Sequence, residues 1–387
     1  MTVAQRAAAR LRQGHPWVYR SDVLHLDDPG PGSLVSVGDE RGNLVGTAFY
    51  SSSSQIALRM ISTRAVSPEQ LSELVRDRVR RAIAIRQSFV HDSNAFRLVF
   101  SEADQLPGII ADRYNDLLTV QFLTQATDQP AVRQTLVDTL LTEIHPASIV
   151  ERVDHRIREL EDLPPREMQV LHGERTSTIF TMNGIRFQYA AYAGQKTGAF
   201  LDQRENYKAA AKYASGEALD VFTYHGGFAL HLAKKCVRVT AVDSSRSALE
   251  TAEANEKLNP GAPEIEWMEA NAFDLLKDYA AATRQFDTIV LDPPAFAKSK
   301  KEVPGALRGY KEINLRAMRM LRPGGILITC TCSHHVSEEE FVNALRSAAA
   351  DSRRTLRILE KRGQAQDHPV LLTVPETSYL KCLILQA

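Results

Sequence analysis

Cysteines and long apolar runs are both scarce in this sequence, and each scarcity excludes a class of protein. The cysteines, only four in number, show neither a disulfide framework nor zinc-knuckle spacing, so a reducing compartment is expected. No run approaches about eighteen apolar residues, so neither a transmembrane helix nor a membrane partner is expected. The first ten residues lack the apolar core of a secretory signal. Together these absences predict a cytoplasmic protein.

Net charge is also absent, because 47 basic and 47 acidic side chains balance, and this argues weakly against a nucleic-acid-binding protein. The distribution of charge argues the other way, since basic residues gather in three places. Solvated surface charge is the alternative for any one of them, but three clusters favour a phosphate-bearing partner. The clusters are Arg6, Arg10, Arg12 and Arg20; Arg76, Arg78, Arg80, Arg81 and Arg86; and Lys298, Lys300, Lys301, Arg308 and Lys311.

Length and composition predict more than one domain. The chain has 387 residues, 44% of them hydrophobic and 24% charged, which is ample for two or three globular cores. Residues 1–66 read as short strands separated by turns and predict a small β-barrel-like domain. Residues 67–189 begin at Ser67-Pro68-Glu69-Gln70, a capping box with proline at the first helical position, and predict a central α+β domain. Residues 190–387 form the third predicted domain.

The third domain alternates short buried strands with helices, the pattern of a doubly wound α/β sheet. In such sheets, ligands bind at the carboxyl ends of the strands. The predicted strands are Ala218–Phe222, Val237–Asp243, Glu264–Met268, Thr288–Asp292, Ile326–Thr331, Leu356–Leu359 and Tyr379–Leu385. The functional residues are therefore expected directly after these strands.

Two of these strand ends predict a nucleoside-type cofactor. Asp220 lies in the first strand, which leads to a glycine turn at Gly226 and Gly227, where backbone can approach a ligand closely. The next strand ends at Asp243, 23 residues after Asp220, a spacing that suits a carboxylate bound to ribose hydroxyls. Asn271, after the third strand, is a candidate for the adenine side. The dinucleotide phosphate fingerprint is absent, which argues against a nicotinamide dehydrogenase.

The fourth and fifth strands end in groups that suit one base of a nucleic acid. Asp292 is followed by the rigid Pro293-Pro294 pair and by Phe296, while the fifth strand ends at Cys332. A carboxyl group can hydrogen-bond a base, an aromatic ring can stack on it, and a thiol can attack it. These two strand ends are therefore predicted to face a nucleotide.

The two cysteines near that strand end are assigned different roles. Cys330 is expected in the core, and Cys332, at the end of the strand, is expected to be the exposed one. A small buried hydrophobe is the alternative reading of Cys332. A nucleophilic thiol must become a thiolate, which requires nearby positive charge, and Lys298 or Lys300 is the candidate source.

Histidines near these strand ends do not predict a metal site. They stand on independent loops without the recurring spacing of zinc ligands. The histidines concerned are His225, His231, His334 and His335. No metal is therefore expected.

Several motifs resemble class I S-adenosylmethionine-dependent ribosomal RNA methyltransferases, and the closest resemblance is to the large-subunit rRNA cytosine-C5 methyltransferase I family. The resemblance extends over the whole chain, from a PUA-like start through a central RNA-recognition domain to the methyltransferase motifs. The matching stretches are His15–Tyr19, Ser101–Tyr114, Gly194–Arg204, Asp220–Phe228, Asp292–Lys300 and Thr331-Cys332-Ser333. Two positions depart from the pattern: His225 replaces a common threonine, and Asn271 replaces an aspartate but can still hydrogen-bond adenine.

The resemblance implies a PUA-like RNA-binding domain, a central α+β domain and a Rossmann-like, seven-stranded methyltransferase domain. S-adenosyl-L-methionine is the implied cofactor and large-subunit (23S-type) ribosomal RNA the implied partner, while a homodimer is left open. The implied cofactor-binding residues are Gln195, Lys196, Thr197, Phe200, Asp220, Phe222, Tyr224, Gly226, Gly227, Asp243, Asn271 and Asp292. The implied contacts to the base are Pro293, Pro294, Phe296 and Lys298, and the implied catalytic residues are Cys332 and Asp292.

The implied product is 5-methylcytosine, formed through a covalent bond between Cys332 and carbon 6 of cytosine. A protonated Asp292 would stabilise charge at N3, and Phe296 would stack on the flipped base. The base that removes the carbon-5 proton is not identified. Two alternatives stay open: an RNA base N-methyltransferase without covalent catalysis, and a non-catalytic RNA-binding ribosome-assembly factor.

Overall fold

The structure, a computed structural model, describes residues 1–192, 199–261 and 263–387. Three predicted cofactor contacts, Gln195, Lys196 and Thr197, lie outside the described residues. The chain divides into two units. Unit 1 holds Met1–Thr181, a stretch that starts at Tyr189, and Asp367–Thr377, whereas unit 2 holds Met182–Gln188, Ala199–Gln366 and Ser378–Ala387. Within the described ranges, none of the helices combines the length and the apolar character that a membrane crossing needs.

The first part of unit 1 is a six-stranded sheet with one helix. Its elements are β1 (Thr2–Val3), α1 (Gln5–Arg12), β2 (Trp17–Tyr19), β3 (Val23–His25), β4 (Leu34–Gly38), β5 (Leu44–Tyr50) and β6 (Ile56–Ser62). The strand order is β2-β6-β5-β4-β1-β3. Helix α1 corrects the expectation of strands alone for this region. Its alanine-rich sequence favours a helix, and Ala7, Ala8 and Leu11 bury one face of it.

The second part of unit 1 combines helices with a five-stranded sheet. Its elements are α2 (Pro68–Phe89), β7 (Ala95–Phe100), β8 (Ile109–Tyr114), β9 (Leu117–Phe122), α3 (Pro130–Ile144), β10 (Ser148–Glu151), α4 (His155–Leu160), β11 (Gln169–His172) and nearly all of β12 (Ser177–Met182). Most of the next strand, β13 (Ile185–Ala190), belongs to unit 2. The sheet order is β11-β10-β9-β8-β7. The predicted capping box of Ser67 and Gln70 is present at the start of α2. Val75, Val79 and Ile83 place one face of α2 in the core.

A segment from late in the chain completes unit 1. Asp367 is fully buried, and its Oδ2 accepts a hydrogen bond from the backbone N–H of Arg97 (2.8 Å). Arg86, also buried, donates to the carbonyl oxygen of Asp367 (3.1 Å) and pairs with Asp104 (2.5 Å). The start of the segment is therefore anchored in unit 1, while Val370 and Leu372 further along it are exposed.

Unit 2 is built on a seven-stranded sheet whose strands are connected by helices. Its elements are α5 (Arg204–Tyr213), β14 (Glu217–Val221), α6 (Gly227–Leu232), β15 (Arg238–Asp243), α7 (Arg246–Lys257), β16 (Ile265–Glu269), α8 (Ala272–Ala281), β17 (Phe286–Leu291), α9 (Val303–Met320), β18 (Leu321–Thr331), α10 (Glu338–Ser352), β19 (Arg357–Arg362) and β20 (Lys381–Gln386). The order is β16-β15-β14-β17-β18-β20-β19, with β20 antiparallel to both neighbours. This confirms the predicted Rossmann-like sheet.

The direction in which strands are added reverses beside β14. Strands β15 and β16 follow on one side of it, whereas β17 and β18 lie on the other. A crevice opens at such a switch point, outside the carboxyl ends of the strands. Strands β14 and β17 pair in parallel up to Val221 and Leu291, so Phe222 and Asp292 stand at this point.

Candidate active site

Two strand ends meet in unit 2 and bring a carboxyl group and a thiol together. Strands β17 and β18 are parallel neighbours, so the chain after Asp292 runs beside the end of β18. The backbone N–H of Ala297 donates to Ser333 Oγ (3.2 Å), and Cys332 Sγ lies 4.0 Å from the carbonyl oxygen of Pro293. The expected neighbourhood of these two strand ends is therefore present.

Asp292 is held in one place and carries a proton at neutral pH. Burial raises its pKa to about 8, and the nearby carboxyl groups of Asp202 and Asp220 act in the same direction. Gln203 Nε2 donates to Asp292 Oδ2 (3.0 Å), while Gln203 Oε1 accepts from Asn206 (2.7 Å), which fixes the orientation of the amide. A protonated Asp292 can donate a hydrogen bond, which is the property that its predicted role requires.

The two cysteines at the end of β18 have different surroundings, as expected. Cys330 is fully buried, and burial raises the pKa of its thiol, whereas Cys332 is partly exposed. Tyr310 fastens the chain on both sides of Cys332, because its hydroxyl group is bonded to Thr331 Oγ1 (2.7 Å) and to Ser333 Oγ (2.8 Å). A well-anchored turn therefore presents the Cys332 thiol.

Lys381, which no sequence pattern singles out, lies at the same turn. It begins β20 and is paired in register with Thr331, the last residue of β18. Burial lowers the pKa of Lys381, and the charge of Cys332 is the largest influence that raises it. Lys298 and Lys300, the cations predicted to act on the thiol, are both exposed. Lys381 is therefore a further candidate cation at the thiol, and the role of Lys298 or Lys300 stays a prediction.

Phe296 and Lys298, two of the predicted contacts to a base, follow the proline pair. Pro293 is buried and Pro294 is exposed. The Phe296 ring packs on Tyr310 with centroids 4.6 Å apart and keeps partial exposure, while Lys298 is exposed. An aromatic ring with this exposure can take a second ring upon it.

The cofactor side of the site is the loop between β14 and α6. Phe222 and Tyr224 have positive φ angles of 69° and 52°, a strain of roughly 1 to 3 kcal/mol each that is typical of functional sites. Asp220 is fully buried, and its Oδ2 accepts from Thr223 Oγ1 (2.6 Å) and from the N–H of Ala229 (2.9 Å). No described residue bonds its Oδ1. Burial raises the pKa of Asp220 to about 7.

The two glycines of this loop make room for aromatic side chains. Gly226 has a φ of 81°, and a Cβ atom there would lie 2.8 Å from the Trp267 ring. A Cβ atom on Gly227 would lie 2.5 Å from the Tyr207 ring. Packing thus explains why both positions are glycine, and their role as cofactor contacts stays a prediction.

Three further predicted cofactor contacts lie beside this loop or at the neighbouring strand ends: Asp243, Asn271 and Phe200. Asp243 Oδ2 accepts from the backbone N–H of Tyr224 (2.9 Å), and its Oδ1 accepts from that of Ser245 (2.9 Å). Phe200 packs on Tyr224 with ring centroids 5.1 Å apart. Asn271 is the N-cap of α8, since its Oδ1 accepts a backbone N–H of that helix (2.9 Å). Asn271 therefore has a structural role besides its predicted contact with adenine.

The three basic clusters differ in how far their charge is neutralised. Most arginines of the first two clusters are bound within unit 1. Their carboxylate pairs are Arg6–Asp22, Arg10–Asp22, Arg12–Asp39, Arg80–Glu143 and Arg86–Asp104. In the third cluster Lys311 pairs with Asp351, but the other four cations are exposed and form no ion pair with any described residue. The third cluster is therefore the main candidate for phosphate contacts.

Two family models match this chain. Residues 1–63 match a PUA-like domain, and residues 99–385 match the S-adenosylmethionine-dependent methyltransferase family. The chain belongs to the S-adenosylmethionine-dependent methyltransferase family. Its seven-stranded sheet and the strand ends described above lie within the matched region.

Relatives of this methyltransferase align with it over nearly the whole chain. The protein called ribosomal RNA large subunit methyltransferase I in Shewanella denitrificans is 37% identical over 97% of this chain and 96% of its own. Its namesake in Photobacterium profundum is 37% identical over 96% of this chain and 95% of its own. The crystal structure of SMU.776 complexed with SAH covers 100% of this chain and 99% of its own at 20% identity, and its TM-score of 0.85 shows the same fold.

The site of this methyltransferase fits S-adenosylmethionine, the cofactor of its family. The cofactor carries a sulfonium cation, which would favour the charged form of a buried carboxyl group beside it, such as that of Asp220, whose pKa burial raises to about 7. Asp220 Oδ1 is buried and is unbonded within the described ranges. Asp243 stands at the end of β15, where a ribose-binding carboxylate is expected. These residues would hold a cationic nucleoside.

Proposed function

We propose that this methyltransferase forms 5-methylcytosine in large-subunit ribosomal RNA, in the cytoplasm, through a covalent bond between Cys332 and carbon 6 of the cytosine. The observation that carries the proposal is the partly exposed thiol of Cys332 on the strand next to Asp292. An N-methyltransferase needs no such thiol. The relatives called ribosomal RNA large subunit methyltransferase I support the choice of RNA.

The thiol is proposed because carbon 5 of cytosine needs activation. Carbon 5 of cytosine is a weak nucleophile, so it must be activated before it can accept a methyl group. Attack of the Cys332 thiolate forms an Sγ–C6 bond and makes carbon 5 an enamine-like nucleophile. S-adenosylmethionine supplies the methyl group that carbon 5 accepts. Loss of the carbon-5 proton to a base then expels the thiolate, breaks the Sγ–C6 bond and restores the ring.

Asp292 suits the role of a hydrogen-bond donor to the base. A carboxyl group with a pKa of about 8 is neutral at pH 7 and can donate to N3 while negative charge grows there. Gln203 keeps it in position. Phe296, packed on Tyr310 and partly exposed, suits stacking on the flipped cytosine.

The same proposal assigns residues to contacts with the RNA strand and with the cofactor. The four exposed cations of the third basic cluster suit the phosphates on either side of the target base. The cofactor contacts expected from the sequence, including Asp243 and Asn271, are assigned to the nucleoside. The division into a PUA-like domain at 1–66, a central domain at 67–189 and a methyltransferase domain at 190–387 is proposed with them.

The test is methyl transfer from labelled S-adenosylmethionine to unmodified large-subunit rRNA, with the modified base mapped by mass spectrometry. Wild-type protein should give 5-methylcytosine, and Cys332→Ser should lower the rate by about a thousandfold or more. Cys236→Ala, a buried cysteine away from these strand ends, serves as the control and should keep its activity. Full activity of Cys332→Ser, or a methyl group on a ring or exocyclic nitrogen, would contradict the proposal. Binding of rRNA without any methyl transfer would favour a ribosome-assembly factor.

A further inference from the structure

Lys381 occupies a position at the thiol that the proposed reaction leaves unexplained. It is the first residue of β20, opposite Thr331 in the antiparallel register, and Cys332 follows Thr331 directly. The lysine side chain extends beyond the end of the sheet, because its Nζ donates to the carbonyl oxygens of Ser333 (3.4 Å) and Tyr379 (3.3 Å). The ammonium group therefore lies at the turn that presents the thiol.

The charge of Lys381 is not neutralised by a carboxylate. The acidic side chains that influence it are Glu338 and Glu340 of α10, and both are engaged elsewhere. Glu338 pairs with Lys361 (2.6 Å), and Glu340 Oε2 accepts from the N–H of Ser337 (2.8 Å). Among the described residues, no carboxylate oxygen comes within 4.0 Å of the Lys381 ammonium. A half-buried ammonium bonded to two carbonyl oxygens favours an anion beside it.

We propose that Lys381 is a positioning residue that favours the thiolate form of Cys332 and fixes the turn after it, a role that rests on the proposed covalent mechanism. When the thiolate forms, the thiol proton passes to solvent and the ammonium keeps its own. Within the described part of the chain, the charges that act on Lys381 come from Cys332, Glu338 and Glu340. On the other side of the thiol, Tyr310 has its pKa raised mainly by burial and also by the charge of Cys332. Among the described groups named here, Lys381 is therefore the cation.

A purely structural role for Lys381 makes a different prediction. If the lysine only tied the carbonyl groups of Ser333 and Tyr379 together, its charge would have no effect on the reactivity of Cys332. Arginine keeps the charge and can donate to the same carbonyl groups, whereas methionine keeps the length and removes the charge. The pair Lys381→Arg and Lys381→Met therefore separates the two roles.

The experiment measures the rate at which iodoacetamide alkylates Cys332 in the full-length protein from about pH 5.5 to 10. The other three cysteines are buried, and peptide mass spectrometry identifies the product. Lys381→Met should raise the apparent pKa of alkylation by about one unit and slow the reaction at pH 7 about tenfold, because an adjacent cation lowers a thiol pKa by this order. Lys381→Arg should restore the wild-type profile. Lys257→Met, which removes an exposed lysine of α7, is the matched control.

Three outcomes decide the proposal. The expected shift in Lys381→Met with recovery in Lys381→Arg supports it. An unchanged profile in Lys381→Met overturns it, and so does an equal shift in both variants, which would indicate a displaced turn. Alkylation requires neither RNA nor cofactor, so it stays informative if Cys332→Ser keeps full methyl transfer and the covalent mechanism fails. In turnover assays, Lys381→Met should lower kcat at pH 7 far more than it changes KM, with recovery toward alkaline pH.

Discussion

The raised pKa of Asp292 predicts that Asp292→Asn stabilises the protein, and that the gain depends on pH. The pKa is about 8 in the folded protein, against an ordinary value of 3.8 for this side chain. Between these two values the folded protein holds a proton that the unfolded chain has lost. The free energy of unfolding of the wild type therefore falls as pH rises through this window, and the loss is complete above about pH 8.

The size of the effect follows from the shift. Each pKa unit corresponds to about 1.4 kcal/mol, so a shift of about four units sets an upper limit near 6 kcal/mol. Relaxation of the protein around the charge offsets part of this penalty. We expect Asp292→Asn to raise the free energy of unfolding by about 2 to 3 kcal/mol at pH 8.5, and by much less near pH 5. The asparagine oxygen can still accept the hydrogen bond from Gln203.

Urea unfolding of the cofactor-free protein measures this difference. The sequence has two tryptophans, Trp17 in unit 1 and Trp267 in β16 of unit 2, so fluorescence in a Trp17→Phe background reports on unit 2. Asp278→Asn, which replaces an exposed aspartate of α8, is the matched control and should change little at any pH. If wild type and Asp292→Asn lose stability in parallel as pH rises, the reasoning about Asp292 is refuted.

Two further predictions concern the glycine loop and the third basic cluster. Gly227→Ala would bring a Cβ atom to 2.5 Å from the Tyr207 ring, so it should lower the free energy of unfolding in urea by about 1 to 3 kcal/mol. Adding Tyr207→Leu to this variant should recover part of the loss. Unchanged stability of Gly227→Ala would contradict the packing. Lys300→Ala should reduce the slope of log affinity for rRNA against log salt concentration by about 0.7 to 0.9. Lys257→Ala, which removes another exposed lysine, is the control. If the two variants have the same slope, Lys300 does not contact the RNA phosphates.

The parts of the fold that follow from local chemistry could be predicted from the sequence. A buried parallel strand needs a short, continuous apolar run, and Thr288–Leu291 and Ile326–Thr331 are such runs. The position of a residue within its strand likewise distinguishes the buried Cys330 from the partly exposed Cys332. Helix α1 is a local feature that the strand-and-turn interpretation missed, although its alanines favour a helix and Ala7, Ala8 and Leu11 form one buried face.

The parts that depend on distant contacts could not be predicted in this way. Lys381 reaches the thiol because β20 pairs with β18, and nothing near Lys381 in the sequence encodes that pairing. The charge of Arg12 is cancelled by Asp39, which a reading of basic clusters alone overlooks. The hydrogen bond from Gln203 that holds Asp292 spans 89 positions of the chain. The charges and pKa values of the active-site groups depend on such tertiary neighbours, whereas the strand positions follow from local runs of apolar residues.

The burial of Asp367 in unit 1 has a consequence for the order in which the protein can be made. A chain leaving the ribosome has already released most of unit 2 before residue 367 appears. Until then the guanidinium of Arg86 lacks the carbonyl oxygen to which it donates, and the N–H of Arg97 lacks its carboxylate. A buried polar group without its partner costs about 1 to 3 kcal/mol, so unit 1 reaches full stability only after residue 367 has been made. No single cut in the chain can separate the two units intact.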